Sequence, residues 1–256
     1  MGTVPERRAV EALTVGNTAK LYCLNWIDRF VTGRTGVVTI LDLGCGEALN
    51  FQKLLERHPH VQYVGVEPDR DACLKAQRHL DGLPATFVNA PASGVEQRLQ
   101  RKFDIVVSFS VLEHVYGRRE YLRAAARCLE AEGHVLMNYD LGHFVTATML
   151  NRFRSVVRAA LARLGMEQYY LAVVDGQEVS RILHQVGLRC IDQKFFNVYA
   201  LKEIMKIVPE SDRPDYMDRW LSFELEVNDR GIESTTALGR LFGTCNLILV
   251  HGRGDS

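Results

Sequence analysis

From residue 36 to residue 140 short apolar segments of strand type alternate with amphipathic segments of helix type. The strand-like runs are VVTILDLG, VQYVGVE, ATFVNA, FDIVVSFS and HVLMNYD; helices are predicted up to His58-Pro59, around RDACLKAQRHL and around REYLRAAARCLEAEG. Such a rhythm leaves few topologies, because strand-helix-strand units cross over right-handedly and build a parallel sheet with helices on both faces. Ligands of such sheets sit at the carboxyl ends of the strands. Ahead of this unit, Asn17 is placed to cap a helix whose Leu21, Leu24, Ile27, Phe30 and Val31 share one face, with Gly33 ending it.

Beyond Asp140 the rhythm loosens. Residues 144–166 read as one amphipathic helix with Arg152, Arg154, Arg158 and Arg163 on its polar face, a row read as solvated. Asp175 and Glu178 have capping-box spacing, LRCIDQKFF is strand-like, and YALKEIMKIV and DYMDRWLSFELEVN have helical spacing before a last strand, CNLILV. Residues 198–243 are therefore expected to form a mostly helical insertion between the last two strands, with Tyr199, Tyr216, Trp220 and Phe223 as aromatic walls of a pocket.

Composition removes several function classes. The chain has 256 residues, enough for one large core with an appendage, and 31 basic against 31 acidic side chains give a formal net charge of zero. No global field draws it to nucleic acid, and no run of about 18 apolar residues would insert stably in a membrane. The six cysteines, Cys23, Cys45, Cys73, Cys128, Cys190 and Cys245, are scattered singly, which predicts reduced, mostly buried thiols, a cytoplasmic protein and no metal site. The sequence leaves room for a homodimer.

The chemistry-bearing feature is the turn after the first strand, ILDLGCGEALNF. A strand that passes through glycines toward a helix presents free backbone N–H groups and lets a nucleotide-like ligand approach closely. Leu49 stands where the dinucleotide fingerprint needs its third glycine, and the Gly-Lys-Ser/Thr ending of a phosphate loop is absent. What remains, Asp42-x-Gly44-x-Gly46-x-Ala48, resembles motif I of the class I S-adenosylmethionine-dependent methyltransferases. Ala48 departs from its G-x-G-x-G spacing, mildly if the residue has negative φ.

The resemblance extends over roughly residues 36–140. Glu67 falls where that family places the acid that takes both ribose hydroxyls, Asn89 in FVNA stands in place of the acid at the adenine, and FDIVVSFSVLEHV carries the Leu-Glu-His of the small-molecule branch called type 11. The family's Pro-Gly-Gly turn before HVLMNYD is here Ala131-Glu132-Gly133. The resemblance implies a doubly wound, Rossmann-like α/β fold with a seven-stranded, mostly parallel sheet and a helical cap. It implies S-adenosyl-L-methionine as cofactor, S-adenosyl-L-homocysteine as product, and cofactor contacts from Asp42, Gly44, Cys45, Gly46, Glu67, Pro68, Asn89, Ala90 and Ser110. Residues 1–34 are then an N-terminal helical cover, and 35–256 the methyltransferase domain with cap segments 141–175 and 198–243.

Methyl transfer from a sulfonium is an in-line displacement, so the first tasks of such a protein are aiming the nucleophile and excluding water. A base is needed when the acceptor holds its proton at neutral pH; His114, on the loop after the fourth strand, is the first candidate, followed by Asp140 and His143 at the ligand edge. Tyr22 and Lys20 read as a core tyrosine beside a surface lysine. Ser108-Phe109-Ser110-Val111 lacks the Asp/Asn-Pro-Pro-Tyr signature of exocyclic amino methylation. The acceptor expected is a small molecule, a metabolite or saccharide methylated on oxygen. The alternatives are a lipid-linked or protein acceptor, and a non-catalytic module that binds the cofactor.

Overall fold

The computed structural model describes residues 17–142, 170–233 and 236–252. The part of the expected N-terminal cover before Asn17, together with His143 and the helix expected over 144–166 with its arginine row, lies outside the described residues. Elements below are numbered over the described residues.

The seven strands are β1 (Val38–Leu43), β2 (Val61–Glu67), β3 (Ala85–Asn89), β4 (Phe103–Phe109), β5 (Leu129–Asp140), β6 (Leu188–Val198) and β7 (Phe242–His251), in the spatial order β3-β2-β1-β4-β5-β7-β6. All pairs from β3 to β5 are parallel, while β7 is antiparallel to both β5 and β6. The order reverses at β1, which lies between β2 and β4, so the carboxyl ends of β1 and β4 form the crevice where such sheets take ligands.

Strand residues alternate between two cores, as the period of two demands. Ile40, Ile105, Val107, Leu136 and Ile248 face one side, packed with Leu24, Ile27 and Val31 of α1 (Thr18–Thr32) and Leu54 and Leu55 of α2 (Gln52–Arg57). Leu41, Val106, Val135, Met137, Leu247 and Leu249 face the other, under Tyr121, Leu122 and Ala125 of α5 (Arg118–Arg127) and Ile182 and Leu183 of α6 (Gly176–Gln185). Each such aliphatic side chain contributes roughly 1.5–3 kcal/mol when fully buried. The lead-in helix is thus part of one helical layer of the domain, with Asn17 Oδ1 capping it by accepting the Lys20 N–H at 3.0 Å. The face of α2 and α1 is completed by α3 (Arg70–His79), and the short α4 (Val95–Leu99) precedes β4.

A third, smaller cluster joins α1 to the insertion. Ala19 and Leu21 pack with Phe196 of β6, Met205 of α7 (Tyr199–Met205), and Met217, Trp220 and Leu221 of α8 (Arg213–Asp229). Residues 198–243 are mostly helical between β6 and β7, as their spacing predicts.

Three local expectations are corrected. The helix around REYLRAAARCLEAEG stops at Arg127 and β5 begins at Leu129: Phe103 N–H donates to the Cys128 carbonyl at 2.8 Å and Phe103 pairs with Leu129, so sheet pairing claims residues of helical propensity. Asp175 does cap α6, accepting from Gln177 N–H, but Glu178 leaves the capping box for an ion pair with Arg118 at 2.7 Å. Ala48 has φ +53, left-handed rather than negative, so the missing third glycine of the loop is strained and not a mild change.

Candidate active site

Between β1 and α2 the chain makes a compact loop whose own amides are occupied. The N–H groups of Gly44 and Cys45 both donate to the Val66 carbonyl, at 2.8 and 3.1 Å, Gly46 N–H donates to Glu67 Oε2 at 2.9 Å, and Ala48 N–H to the Cys45 carbonyl at 2.9 Å. The free N–H groups expected of a glycine turn are therefore absent at these four positions, and with them the anion cradle of a phosphate site. Gly44 and Gly46 are required for different reasons. At Gly44 φ is +79 and an added Cβ would lie 2.7 Å from Val111 Cγ2, whereas Gly46, φ +55, has open space and is fixed by its backbone alone.

Glu67 ends β2 with each oxygen accepting one backbone N–H, Oε2 from Gly46 and Oε1 from Asp69. A carboxylate oxygen offers two lone-pair sites, so each keeps capacity for a hydroxyl. Asn89 donates through Nδ2 to the Glu67 and Pro68 carbonyls, at 2.9 and 3.0 Å, which ties β3 to β2 and leaves Oδ1 as the group it can offer a base edge. Ala90 is buried and its N–H goes to the Glu67 carbonyl at 3.2 Å.

Asp42 lies beneath the loop, 4 % exposed, with Oδ2 accepting the Tyr63 hydroxyl at 2.8 Å. Burial pushes its carboxyl up to about 7, against the pull of the Tyr63 hydrogen bond and the Lys20 cation. Lys20 is not the surface residue expected. It is half-buried on α1, burial lowers its pKa, and the charges of Asp42 and Glu113 oppose that change. Tyr22 behaves as a packed tyrosine, donating to Asp192 at 2.6 Å.

A cavity of about 350 Å³ opens at the same edge of the sheet, lined by Ser110, Glu113 and His114 after β4, Asp140 at the end of β5, Leu171–Val173, Asn197, Tyr199 and Lys202 from the insertion, and Asn17 and Thr244. The structure brings Ser110, His114 and Asp140 together here. The glycine loop abuts the cavity's wall, since Gly44 packs on Val111, between Ser110 and Glu113. Of the predicted aromatic walls, Tyr199 lines the cavity; Trp220 is in the third core cluster at 5 % exposure, and Tyr216 and Phe223 are exposed and not among the lining residues.

The wall is held by groups that local spacing does not reveal. Arg118, 7 % exposed, donates to the carbonyls of Leu112, Ala172 and Val173 and to Glu178, clamping the turn after β4 to the segment that closes the cavity. Ser110 has φ +58, and its N–H reaches both the carbonyl and Oδ1 of buried Asn138, at 3.1 and 2.9 Å. Glu224, fully buried, accepts from Thr18 Oγ1 and from Val198 N–H at 2.8 Å, and burial lifts its carboxyl to about 7. It fixes α1, β6 and α8 around Asn197, whose Nδ2 donates to Thr244 Oγ1 at 2.7 Å. An arginine beside Arg119 reads as a solvated helix start, and Glu224 in LSFELEVN as one more surface acid.

Sequence comparison agrees with this geometry over the central strands. A family model described as "Methyltransferase domain" matches residues 41–135. Ubiquinone biosynthesis O-methyltransferase of Photorhabdus laumondii is 28% identical over 115 residues, 43% of this chain and 47% of that protein. Trans-aconitate 2-methyltransferase of Acidovorax sp. (strain JS42) is 33% identical over 97 residues, 38% of this chain and 36% of that protein. The chain thus matches less than half the length of these curated relatives. In fold it is similar to the O-methyltransferase of a trans-AT PKS multienzyme of Brevibacillus brevis in complex with S-adenosyl-L-homocysteine, at TM-score 0.54 and 16% identity, covering 93% of this chain and 72% of that one.

Proposed function

We propose that this chain, whose residues 41–135 are a class I methyltransferase domain, is an S-adenosylmethionine-dependent methyltransferase that acts on a small molecule. The observation that carries the reading is the packing of Gly44 on Val111, which sets the glycine loop against the wall of a cavity suited to an acceptor. The occupied amides of the loop suit a cationic cofactor rather than a pyrophosphate, and the spare lone pairs of Glu67 suit a ribose diol. Asp42, Gly44, Cys45, Gly46, Glu67, Pro68, Asn89, Ala90 and Ser110 are the residues assigned to it. The cofactor supplies an electrophilic methyl group when bound.

The chain's own residues would then enclose the acceptor, orient it and take its proton. His114 and Asp140 line the cavity and are the bases assigned to this step; His143 is kept as a third candidate by its place in the sequence. Residues 198–243 serve as the cap through Tyr199 and Lys202, with residues 1–34 and 141–175 assigned to the same cover. A metabolite or saccharide hydroxyl is the favoured acceptor, in keeping with the name of the ubiquinone-pathway relative.

A second reading has one observation in its favour. From Tyr199, at the cavity edge and 55 % exposed, α7 and the turn after it present Ile204 and Ile207, 48 % and 83 % exposed, a surface suited to a lipid-linked or protein acceptor. Titration calorimetry with S-adenosylhomocysteine and with NAD tests the main reading: micromolar binding of the first and no heat from the second is expected. Binding of NAD alone overturns it.

A further inference from the structure

Resting on the methyltransferase reading, we propose that the cavity is a subsite for an acceptor group that donates hydrogen bonds, a hydroxyl or an ammonium, and that it rejects carboxylates. Glu113 is 7 % exposed yet lines the cavity, and among the described residues its Oε2 has no hydrogen-bond partner. Its backbone is fixed, because its carbonyl accepts the Ala172 N–H at 2.9 Å from the segment on the opposite side. Asp140, on the same cavity, accepts the Gly142 N–H with Oδ1 and keeps Oδ2 buried without a partner among the described residues.

An acceptor atom taken from water and given no donor costs its full desolvation, so two such oxygens on residues that line one cavity call for donors, and an occupant toward which the side chains turn would bring them. Carboxylates accept, hence the occupant must donate. The two groups also sense one another. Burial raises the Glu113 pKa and the Asp140 charge adds to that rise, while His114 and Lys20 oppose it. A ligand cation or a pair of O–H groups relieves this repulsion, whereas a ligand carboxylate adds a third negative charge to it.

The rest of the lining is mixed. Asn17, Asn197 and Thr244 are bonded to one another, through Asn197 Nδ2 at 3.4 and 2.7 Å, so that wall is neutral and already satisfied, while His114 and Lys202 line other parts of the cavity. Glu113 is also distinct from the residues assigned to the cofactor. Its sequence position between Leu112 and His114 gave it no role, and its burial does.

The experiment takes the full chain saturated with S-adenosylhomocysteine and observes catechol, ethanolamine and citrate by ligand-detected NMR. Catechol or ethanolamine is expected to bind, and which of them binds separates hydroxyl from ammonium recognition. Glu113→Gln and Asp140→Asn are each expected to weaken that probe by about tenfold or more while S-adenosylhomocysteine affinity stays within about threefold. Binding of citrate, no binding of either donor probe, or equal binding by both variants overturns the proposal. Loss of S-adenosylhomocysteine affinity in Glu113→Gln also overturns it, by assigning the carboxylate to the cofactor. If the unaltered protein does not bind S-adenosylhomocysteine, the methyltransferase reading fails first and the subsite with it.

Discussion

Glu67 and Gly46 are joined by a 2.9 Å hydrogen bond from the glycine's N–H to the carboxylate, so the acid at the end of β2 braces the loop at the end of β1. If the same carboxylate also takes a ribose diol, Glu67→Ala should weaken S-adenosylhomocysteine binding by about 1–3 kcal/mol. Glu67→Gln, which keeps one acceptor oxygen, should lose less. Calorimetry on the two variants checks the order; equal affinity in wild type and Glu67→Ala would remove Glu67 from the site.

Ala48 is the strained member of the loop, with φ +53 and 1 % exposure. Left-handed backbone costs a non-glycine residue about 1–3 kcal/mol, and glycine forfeits about 1 kcal/mol of unfolded-state entropy in exchange for relief. Ala48→Gly should therefore stay within about 1 kcal/mol of wild type, while β-branched Ala48→Val should lose about 2 kcal/mol or more. Urea denaturation decides; a well-tolerated valine would contradict the geometry.

Stability should fall as pH rises toward neutrality. Asp42 and Glu224, ordinarily near 3.8 and 4.5, are both lifted to about 7 by burial. The folded protein holds protons that the unfolded chain has released, so stability is lost between the two values and levels off above 7. Between pH 6 and pH 8 each group should cost about 1 kcal/mol. Thermal melts across that range should show a higher Tm at pH 6, and Asp42→Asn and Glu224→Gln should each flatten the profile.

Arg118→Met should destabilise the chain by about 2–4 kcal/mol, because it strips donors from three backbone carbonyls around the cavity. Arg118→Lys should recover only part, lacking the planar fork. Chemical denaturation measures both; a loss below about 0.5 kcal/mol in Arg118→Met would mean that the clamp is idle.

If the acceptor is a hydroxyl, one of His114→Ala, Asp140→Asn and His143→Ala should lower turnover by roughly 10² to 10⁴ with cofactor affinity nearly intact. Steady-state kinetics beside calorimetry separates the roles. Full activity in all three would exclude a general base among them.

What was legible in the sequence followed periodicity and local chemistry. The alternation of Ile40 with Leu41 and of Val106 with Val107 places both faces of the sheet, Asn17 announces its helix, and the spacing of Gly44, Gly46 and Glu67 corresponds to a loop and an acid that do meet. What was hidden depends on partners far along the chain. Arg118 meets Ala172, Val173 and Glu178 at separations of 54 to 60 residues, and Glu224 meets Thr18 across 206. Nothing in the neighbouring residues encodes such a meeting. Trp220 was placed at the pocket because an aromatic at helical spacing looks the same whether it faces a ligand or a core. The left-handed φ of Ala48 is likewise a property of the loop closed around it.

The sheet order sets a sequence of folding events. The described strand partner of β6 is β7, which the chain reaches only after α7 and α8, and β7 must slip between β5 and β6 to complete both ladders. During synthesis the strands from β1 to β5 can pair before that strand emerges, whereas Asn197, Tyr199, Lys202 and Thr244 cannot come together until it has. The cavity wall is then the last part of the domain to be completed during synthesis, and hydrogen exchange that opens it as a unit while the β1–β4 core stays protected would show that the same order holds in the folded protein.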